Sequence, residues 1–146
     1  MSLPAGAWDG HVHLFGPYDR HPLAASRSYT PPEATAEACA AHLARLGCTH
    51  AVLVQPSAYG ADHTLLFEAL AARPQWRGVA VLRDPPTEDL AGLRARGVRG
   101  LRFSHRDGDF AGAATLADLQ ALAPRLADAG LHAELWTEAH RPPHIA

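Results

Sequence analysis

The feature that most constrains this chain is a strict alternation of strand-like and helix-like segments joined by short connections. Five apolar or alternating segments, each of strand length, are predicted as strands: Trp8–Phe15, Ala51–Gln55, Gly78–Leu82, Val98–Phe103 and His132–Trp136. The segments between them are predicted as helices. Such an order is typical of a parallel sheet with right-handed crossover connections. The sequence therefore predicts an α/β fold.

Capping signals locate four helices, predicted to begin near Thr30, at Asp62 or Thr64, at Thr87 and at Leu116. The first signal is Thr30-Pro-Pro-Glu33, which matches a capping box with proline at the first helical position. Apolar residues at helical spacing continue from Ala36 to Leu46, and Gly47 follows as a C-cap signal. The last helix is predicted over Leu116–Ala129.

Two architectures accommodate this order of elements: a small doubly wound open sheet, or part of an eight-stranded barrel. The length of 146 residues favours the open sheet, because complete barrels usually need about 200 residues or more. Strand polarity favours the barrel, since strands of a doubly wound sheet are covered on both faces and are nearly all apolar. Here the first strand places Asp9, His11 and His13 on one face, and the fifth carries Glu134. We therefore predict an incomplete (β/α)8 barrel, about its first five strands and four helices, as one domain over residues 1–146.

Composition and charge argue against several classes of partner. The formal net charge is −2 and the sequence pI is about 6.5, so no basic surface for nucleic acid or an anionic membrane is expected. Apolar runs such as Ala51–Val54 are far too short to span a membrane, and no signal peptide is recognised. Cys39 and Cys48 are expected to be small buried side chains. We expect a cytoplasmic protein.

The His11-x-His13 pair is the first candidate for chemistry. By the strand rise the two residues lie about 7 Å apart on one face, close enough for one metal ion to bind both imidazoles. A pair of hydrogen-bonded histidines at a polar strand end is the alternative, and the spacing alone does not decide between them. Asp9 could orient one of these histidines or cap the start of the strand.

Other ionisable residues receive more ordinary interpretations. Glu134 is the one carboxylate placed within a later strand, and an ion pair with Arg102 on the neighbouring strand is the preferred interpretation. His105, His140 and His144 are expected in solvated loops. The absence of a Gly-x-Gly-x-x-Gly pattern after the first strand makes a dinucleotide-binding sheet the weakest alternative.

Five ordered segments of the chain resemble a known family. They are Trp8-Asp-Gly-His-Val-His-Leu-Phe-Gly-Pro17, Tyr29-Thr-Pro-Pro32, Ala51-Val-Leu-Val-Gln-Pro-Ser57 with Gly60 and Asp62, Gly97-Val-Arg-Gly-Leu-Arg-Phe103, and His132 to Trp136. The chain resembles the amidohydrolase superfamily, in particular its 2-pyrone-4,6-dicarboxylate lactonase-like branch. The resemblance implies a (β/α)8 barrel hydrolase that opens a lactone, or a related C–O or C–N bond, with activated water.

The resemblance also implies roles for individual residues. His11 and His13 match the first-strand pair that surrounds the metal or the water, and they could polarise the lactone carbonyl directly or through a metal. Tyr29, Ser57 and Arg102 match residues that contact the substrate carboxylates. Members of this branch also work without a bound metal, so zinc, another divalent metal and no metal all remain open.

Two departures from the branch put the dicarboxylate substrate in doubt. Trp136 replaces a tyrosine of the fifth strand, which keeps the aromatic ring in the substrate site and loses the hydroxyl. The second arginine of the branch has no exact counterpart, since Arg106 lies near its position with a different spacing.

The sequence ends after the fifth predicted strand, so the later histidine and aspartate of the superfamily, including the general base, have no counterpart. We expect an N-terminal fragment that is inactive or very weak alone. Its first and fifth strands would have open edges, through which the chain could self-associate. The alternatives are a non-catalytic half-barrel that binds or assembles, and a decarboxylase or hydratase on the same scaffold.

Overall fold

A computed structural model describes residues 3–83, 86, 89–105 and 113–138. The strands are β1 (Trp8–Val12), β2 (His50–Val54), β3 (Arg77–Ala80), β4 (Val98–His105) and β5 (His132–Thr137). The helices are α1 (Ala36–Leu46), α2 (Thr64–Ala72), α3 (Leu90–Ala95) and α4 (Leu116–Ala129), with a 3-10 turn at Ser57–Tyr59. None of the described helices is long and apolar enough to cross a membrane.

All five strands pair in parallel in the order β1-β2-β3-β4-β5, as expected for consecutive βα units. The sheet curls so far that a side chain of β1 approaches one of β5, with His11 Nδ1 3.7 Å from Glu134 Oε1. An open doubly wound sheet would keep its first and last strands far apart. The predicted incomplete barrel is therefore confirmed.

The core lies between the convex face of the sheet and the helices. Leu43, Leu93 and Leu122 point inward from α1, α3 and α4, and Leu53 and Leu101 meet them from the strands. Burial of a leucine side chain contributes about 1.5–3 kcal/mol, so this layer fixes how each helix lies on the sheet. The polar residues of the strands lie on the opposite, concave face.

The first helix begins at Ala36, and the predicted start near Thr30 is wrong. Thr35 is the N-cap, and its side chain accepts a hydrogen bond from the Ala38 amide. The segment before Thr35 is not helical, because Ala34 and Phe15 exchange two backbone hydrogen bonds in an antiparallel bridge. The two residues are far apart in the sequence, so a local capping pattern could not predict this bridge.

The other helix starts follow their capping chemistry. Asp62 Oδ1 accepts a hydrogen bond from the Thr64 amide at 2.9 Å, so Asp62 assists the start and Thr64 is the first helical residue. Asp89 caps α3 by accepting from two amides, whereas the predicted start at Thr87 lies outside the described residues. Thr115 and Asp118 form a capping box for α4, whose predicted bounds are confirmed.

Strand lengths differ from the predictions at the end that carries polar residues. β1 ends at Val12 rather than Phe15, and β4 continues to His105. The placement of His105 in a solvated loop is therefore wrong: its Nδ1 is buried and has no hydrogen-bond partner among the described residues. His140 and His144 lie outside the described residues. Cys48 is buried as predicted, and Cys39 is partly buried against the core.

Candidate active site

A cavity of about 310 Å³ opens where the strands end. Its walls include five of the six residues singled out from the sequence: His13, Tyr29, Ser57, Arg102 and Trp136. These residues come from the ends of β1, β2, β4 and β5 and from the loop after β1. Barrel enzymes build their active sites at this carboxyl end of the strands. The structure thus brings the predicted residues together at the place where catalysis is expected.

His13 presents a proton-accepting nitrogen to the cavity. Its Nδ1 lies 2.7 Å from the carbonyl oxygen of Val54, and a carbonyl can only accept, so Nδ1–H is the donor. In the neutral ring the lone pair is then on Nε2. Burial is the main cause that lowers the pKa of His13 below 6.5; the hydrogen bond to the Val54 carbonyl opposes this shift, and the neighbouring His11 and Arg102 add to it. His13 is therefore neutral at pH 7.

His11 lies beside the cavity rather than in its wall. Its ring is nearly perpendicular to that of His13, with 5.0 Å between the centroids. The register between β1 and β2 shifts between Asp9 and Val12, so the regular alternation on which the prediction relied is interrupted there. Asp9 Oδ1 accepts from the His11 amide at 3.3 Å, which is a contact with backbone and not with a histidine ring.

Arg102 and Glu134 form the predicted ion pair across β4 and β5. The two residues are in register, and Arg102 Nε lies 3.4 Å from Glu134 Oε1. Their side chains are 17% and 28% exposed, so water screens the pair only in part. The guanidinium carbon also lies 5.0 Å from the centre of the Trp136 ring, within the range of a cation–π contact. The Arg102 guanidinium is thus already paired with the Glu134 carboxylate.

Ser57 and Tyr29 add two hydroxyl groups to the wall of the cavity. Ser57 is the first residue of the 3-10 turn that directly follows β2 and Pro56. Tyr29 comes from the long loop after β1, and its ring packs edge-on against Phe15 at 6.5 Å. Tyr29 is 38% exposed, which places it at the rim of the cavity.

Gln55 and Ser104 also line the cavity, and neither was predicted from the sequence as a site residue. Gln55 is almost fully buried, and its Nε2 donates a hydrogen bond of 2.8 Å to the Asp62 carbonyl. A signal was present, because Gln55 is the one polar residue of its predicted strand. Ser104 follows Arg102 by two positions on β4 and could have been found only if the strand had been predicted to its full length.

The donor set of the described residues does not meet the needs of a resident catalytic metal. Catalytic zinc usually takes three protein ligands, and no group of three His, Cys, Asp or Glu side chains suitable for a metal occurs in the described ranges. His11 and His13 supply two imidazoles. The carboxylate of Glu134, which lies 3.7 Å from His11 Nδ1, is already beside the Arg102 guanidinium. The metal-ligand role of His11 and His13 stays a prediction.

Comparisons with known proteins agree with this geometry. A family model described as Amidohydrolase matches residues 8–146. The 2-pyrone-4,6-dicarboxylate hydrolase of Comamonas testosteroni is 37% identical over 149 aligned positions, which cover 99% of this chain and 48% of that protein. A 4-sulfomuconolactone hydrolase of Rhizobium radiobacter is 36% identical over 107 positions, which cover 71% of this chain and 36% of that protein.

A solved structure extends the comparison to three dimensions. A probable 2-pyrone-4,6-dicarboxylic acid hydrolase from Acinetobacter baumannii, with citric acid bound, superposes with a TM-score of 0.71 at 26% identity. The match covers 88% of this chain and 48% of that one. The chain thus spans about half the length, or less, of the relatives it matches. With the family match over nearly all of its residues, the chain belongs to the amidohydrolase family of hydrolases.

Proposed function

We propose that the cavity binds a carboxylated lactone of the 2-pyrone-4,6-dicarboxylate type, which a complete barrel opens with water. The observation that carries the proposal is the convergence of Arg102, His13, Ser57 and Tyr29 on one cavity of about 310 Å³. The relatives named above, two lactone hydrolases and a structure that holds citric acid, support a lactone that bears carboxylate groups.

Arg102 is the group suited to bind the substrate carboxylate. A guanidinium can donate two parallel hydrogen bonds to a carboxylate, a geometry that lysine does not reproduce. Trp136 provides a flat apolar surface next to that cation, against which the planar ring of a pyrone could pack. The pair between Arg102 and Glu134 must loosen or rotate when a ligand carboxylate arrives.

His13 is suited to accept a proton, not to polarise the carbonyl of the lactone. Its neutral ring offers the Nε2 lone pair, so a hydrogen bond to a carbonyl oxygen would need the protonated ring that burial disfavours. Ser57 and Tyr29 carry the hydroxyl donors for that carbonyl. Water would then add to the carbonyl carbon, the ring C–O bond would break, and a proton would return to the released ring oxygen.

Four further properties belong to this proposal. We place the chain in the cytoplasm, without a nucleic-acid or membrane partner, on the basis of its charge and composition. We treat residues 1–146 as one barrel-type domain. A divalent ion, zinc or another, at His11 and His13 is a further prediction, which elemental analysis of the purified chain tests. Self-association through β1 and β5 follows from their position at the two edges of the sheet.

Calorimetric titration with 2-pyrone-4,6-dicarboxylate tests the proposal on the chain as it exists. Arg102→Gln should weaken binding about tenfold or more, because a charge-assisted pair of hydrogen bonds is lost. Arg45→Gln, which removes an exposed guanidinium on α1, should leave the affinity unchanged. No binding by the unaltered chain, or equal losses in both variants, would overturn the proposal. Binding without turnover would favour a non-catalytic binding module for this chain alone.

A further inference from the structure

A second cleft lies at the opposite end of the sheet from the candidate active site. It has a volume of about 710 Å³ and lies between α2 and α3, next to the residues where β3 and β4 begin. We call it the arginine cleft, after Arg77, Arg96 and Arg99 in its wall. It shares no lining residue with the cavity that contains Arg102. Any ligand bound there would be separate from the lactone.

The charge of the arginine cleft is strongly unbalanced. Glu68 is the one acidic residue in its described wall, and this carboxylate is paired with Arg20 at 3.2 Å and His21 at 3.4 Å. Arg77 and Arg99 have no carboxylate partner among the described residues. The pKa of Arg99 is lowered, mainly by burial and further by the positive charges of Arg77 and Arg94. The two half-buried guanidinium groups are therefore close enough to repel each other across the cleft.

Backbone carbonyls hold both guanidinium groups in place. Arg77 Nη1 donates to the carbonyls of Pro74 and Trp76 at 2.6 and 2.7 Å. Arg99 Nη1 donates to the carbonyls of Arg94 and Val98 at 2.9 and 2.8 Å. Only Nη1 of each side chain is used in this way, so the remaining N–H groups of Arg77 and Arg99 make no hydrogen bond within the described part of the chain. Because these guanidinium groups are already held in place and still have N–H groups to donate, they lose little conformational entropy when an anion binds.

We propose that the arginine cleft binds the phosphate group of a small soluble ligand. Two neighbouring guanidinium groups match a phosphate monoester, which carries about −1.5 to −2 charges at pH 7 and offers three acceptor oxygens. A single carboxylate supplies only half of that charge. Arg96 stacks on the Phe67 ring, with 3.3 Å between its guanidinium carbon and the ring centre, which gives the cleft an apolar side for the rest of the ligand.

Titration with inorganic phosphate at constant ionic strength, followed by NMR of the ¹⁵N-labelled chain, tests the proposal. We expect saturable shifts of the Gly97 and Arg99 amides and of the arginine Nε–H signals, which chloride does not reproduce. Arg77→Gln and Arg99→Gln should each weaken phosphate binding about tenfold, as expected for a lost charge-assisted contact. Arg102→Gln and Arg45→Gln should leave phosphate binding unchanged.

The charge-conserving Arg77→Lys variant covers the case in which a glutamine variant fails to fold. It keeps the positive charge and loses the fork geometry, so it should bind phosphate more weakly while its spectrum remains dispersed. The proposal would be overturned by shifts that do not saturate, by wild-type affinity in Arg77→Lys and Arg77→Gln, or by loss of binding in Arg102→Gln. The last result would assign the anion to the active-site cavity.

Discussion

Oε1 of Glu134 lies 3.7 Å from Nδ1 of His11, although the two residues belong to opposite edges of the five-stranded sheet. The same oxygen lies 3.4 Å from Nε of Arg102. The curl of the sheet therefore places a carboxylate of the protein between an imidazole and the cation that is proposed to bind substrate. If Arg102 binds substrate as proposed, a substrate carboxylate would compete with Glu134 for it, and we expect Glu134 to limit the number of negative charges that the site accepts.

The Glu134→Gln variant should bind carboxylated ligands more tightly than the unaltered chain. A partly exposed ion pair is worth up to about 1 kcal/mol, so we expect an affinity about fivefold higher for 2-pyrone-4,6-dicarboxylate by calorimetry. Glu37→Gln is the matched control, because Glu37 is an exposed carboxylate on α1 that pairs with Arg73. Equal or weaker binding by Glu134→Gln would show that Glu134 assists the ligand instead of competing with it.

Two strand glycines should respond differently to the same substitution. A Cβ on Gly78 would lie 2.8 Å from Leu70 Cδ1 and 3.5 Å from Val98 Cγ2, inside the packed core. Overpacking of this kind usually costs about 1–3 kcal/mol, so Gly78→Ala should lower the free energy of unfolding in urea by that amount. A Cβ on Gly10 has no heavy atom within 4 Å.

The Gly10→Ala variant is therefore the matched control for Gly78→Ala. Both glycines lie in strands, and neither has a backbone conformation that requires glycine. Gly10→Ala should leave the free energy of unfolding unchanged or raise it slightly, because alanine restricts the unfolded chain. Similar losses in both variants would contradict the packing of α2 against β3.

His13 should make the stability of the chain depend on pH. Its folded pKa lies below the value of 6.5 for the unfolded chain, so the unfolded state binds more protons below about pH 6.5. The contribution of the neutral ring is complete above pH 6.5 and is lost as the pH falls towards the folded pKa. His13→Asn should reduce the loss in the free energy of unfolding between pH 7.5 and 5.5. Identical pH slopes for both proteins would show that His13 is not desolvated as described.

The edges of the sheet lead to a prediction about assembly. Among the described residues β1 pairs only with β2, and β5 only with β4, so each leaves a row of backbone groups unpaired. Such edges associate with other chains. Sedimentation velocity should show mass that rises with concentration in the micromolar range. A species that keeps the monomer mass at all concentrations would contradict this prediction.

Much of the fold could be predicted from the sequence because strand polarity and helix periodicity are local properties. The polar positions of the first segment were predicted from alternation along one strand, and the pair of Arg102 and Glu134 from the expected adjacency of the fourth and fifth strands in a parallel sheet. The start of α1 could not be predicted, since the bridge between Ala34 and Phe15 joins residues brought together only by folding. The same holds for His105, whose place in a strand depends on an extension of β4 beyond the apolar residues from which it was predicted.

The candidate site was predictable where its residues lie on a polar strand or match the family that the chain resembles. His13 was indicated by the polar face of the first strand, and Ser57 and Arg102 by the family resemblance; the three share one cavity. The tautomer of His13 was not predictable, because it depends on the Val54 carbonyl of a neighbouring strand. The approach of Glu134 on β5 to His11 on β1 likewise emerges only from the curl of the sheet.

A double-mutant cycle between Arg102 and the ligand carboxylates tests the central claim most directly. Binding of 2-pyrone-4,6-dicarboxylate and of unsubstituted 2-pyrone would be measured by calorimetry with the unaltered chain and with Arg102→Gln. We predict that the unaltered chain prefers the dicarboxylate about tenfold or more and that Arg102→Gln loses most of this preference. A preference that is the same in both proteins would show that Arg102 does not bind the carboxylate, and it would contradict the proposed site.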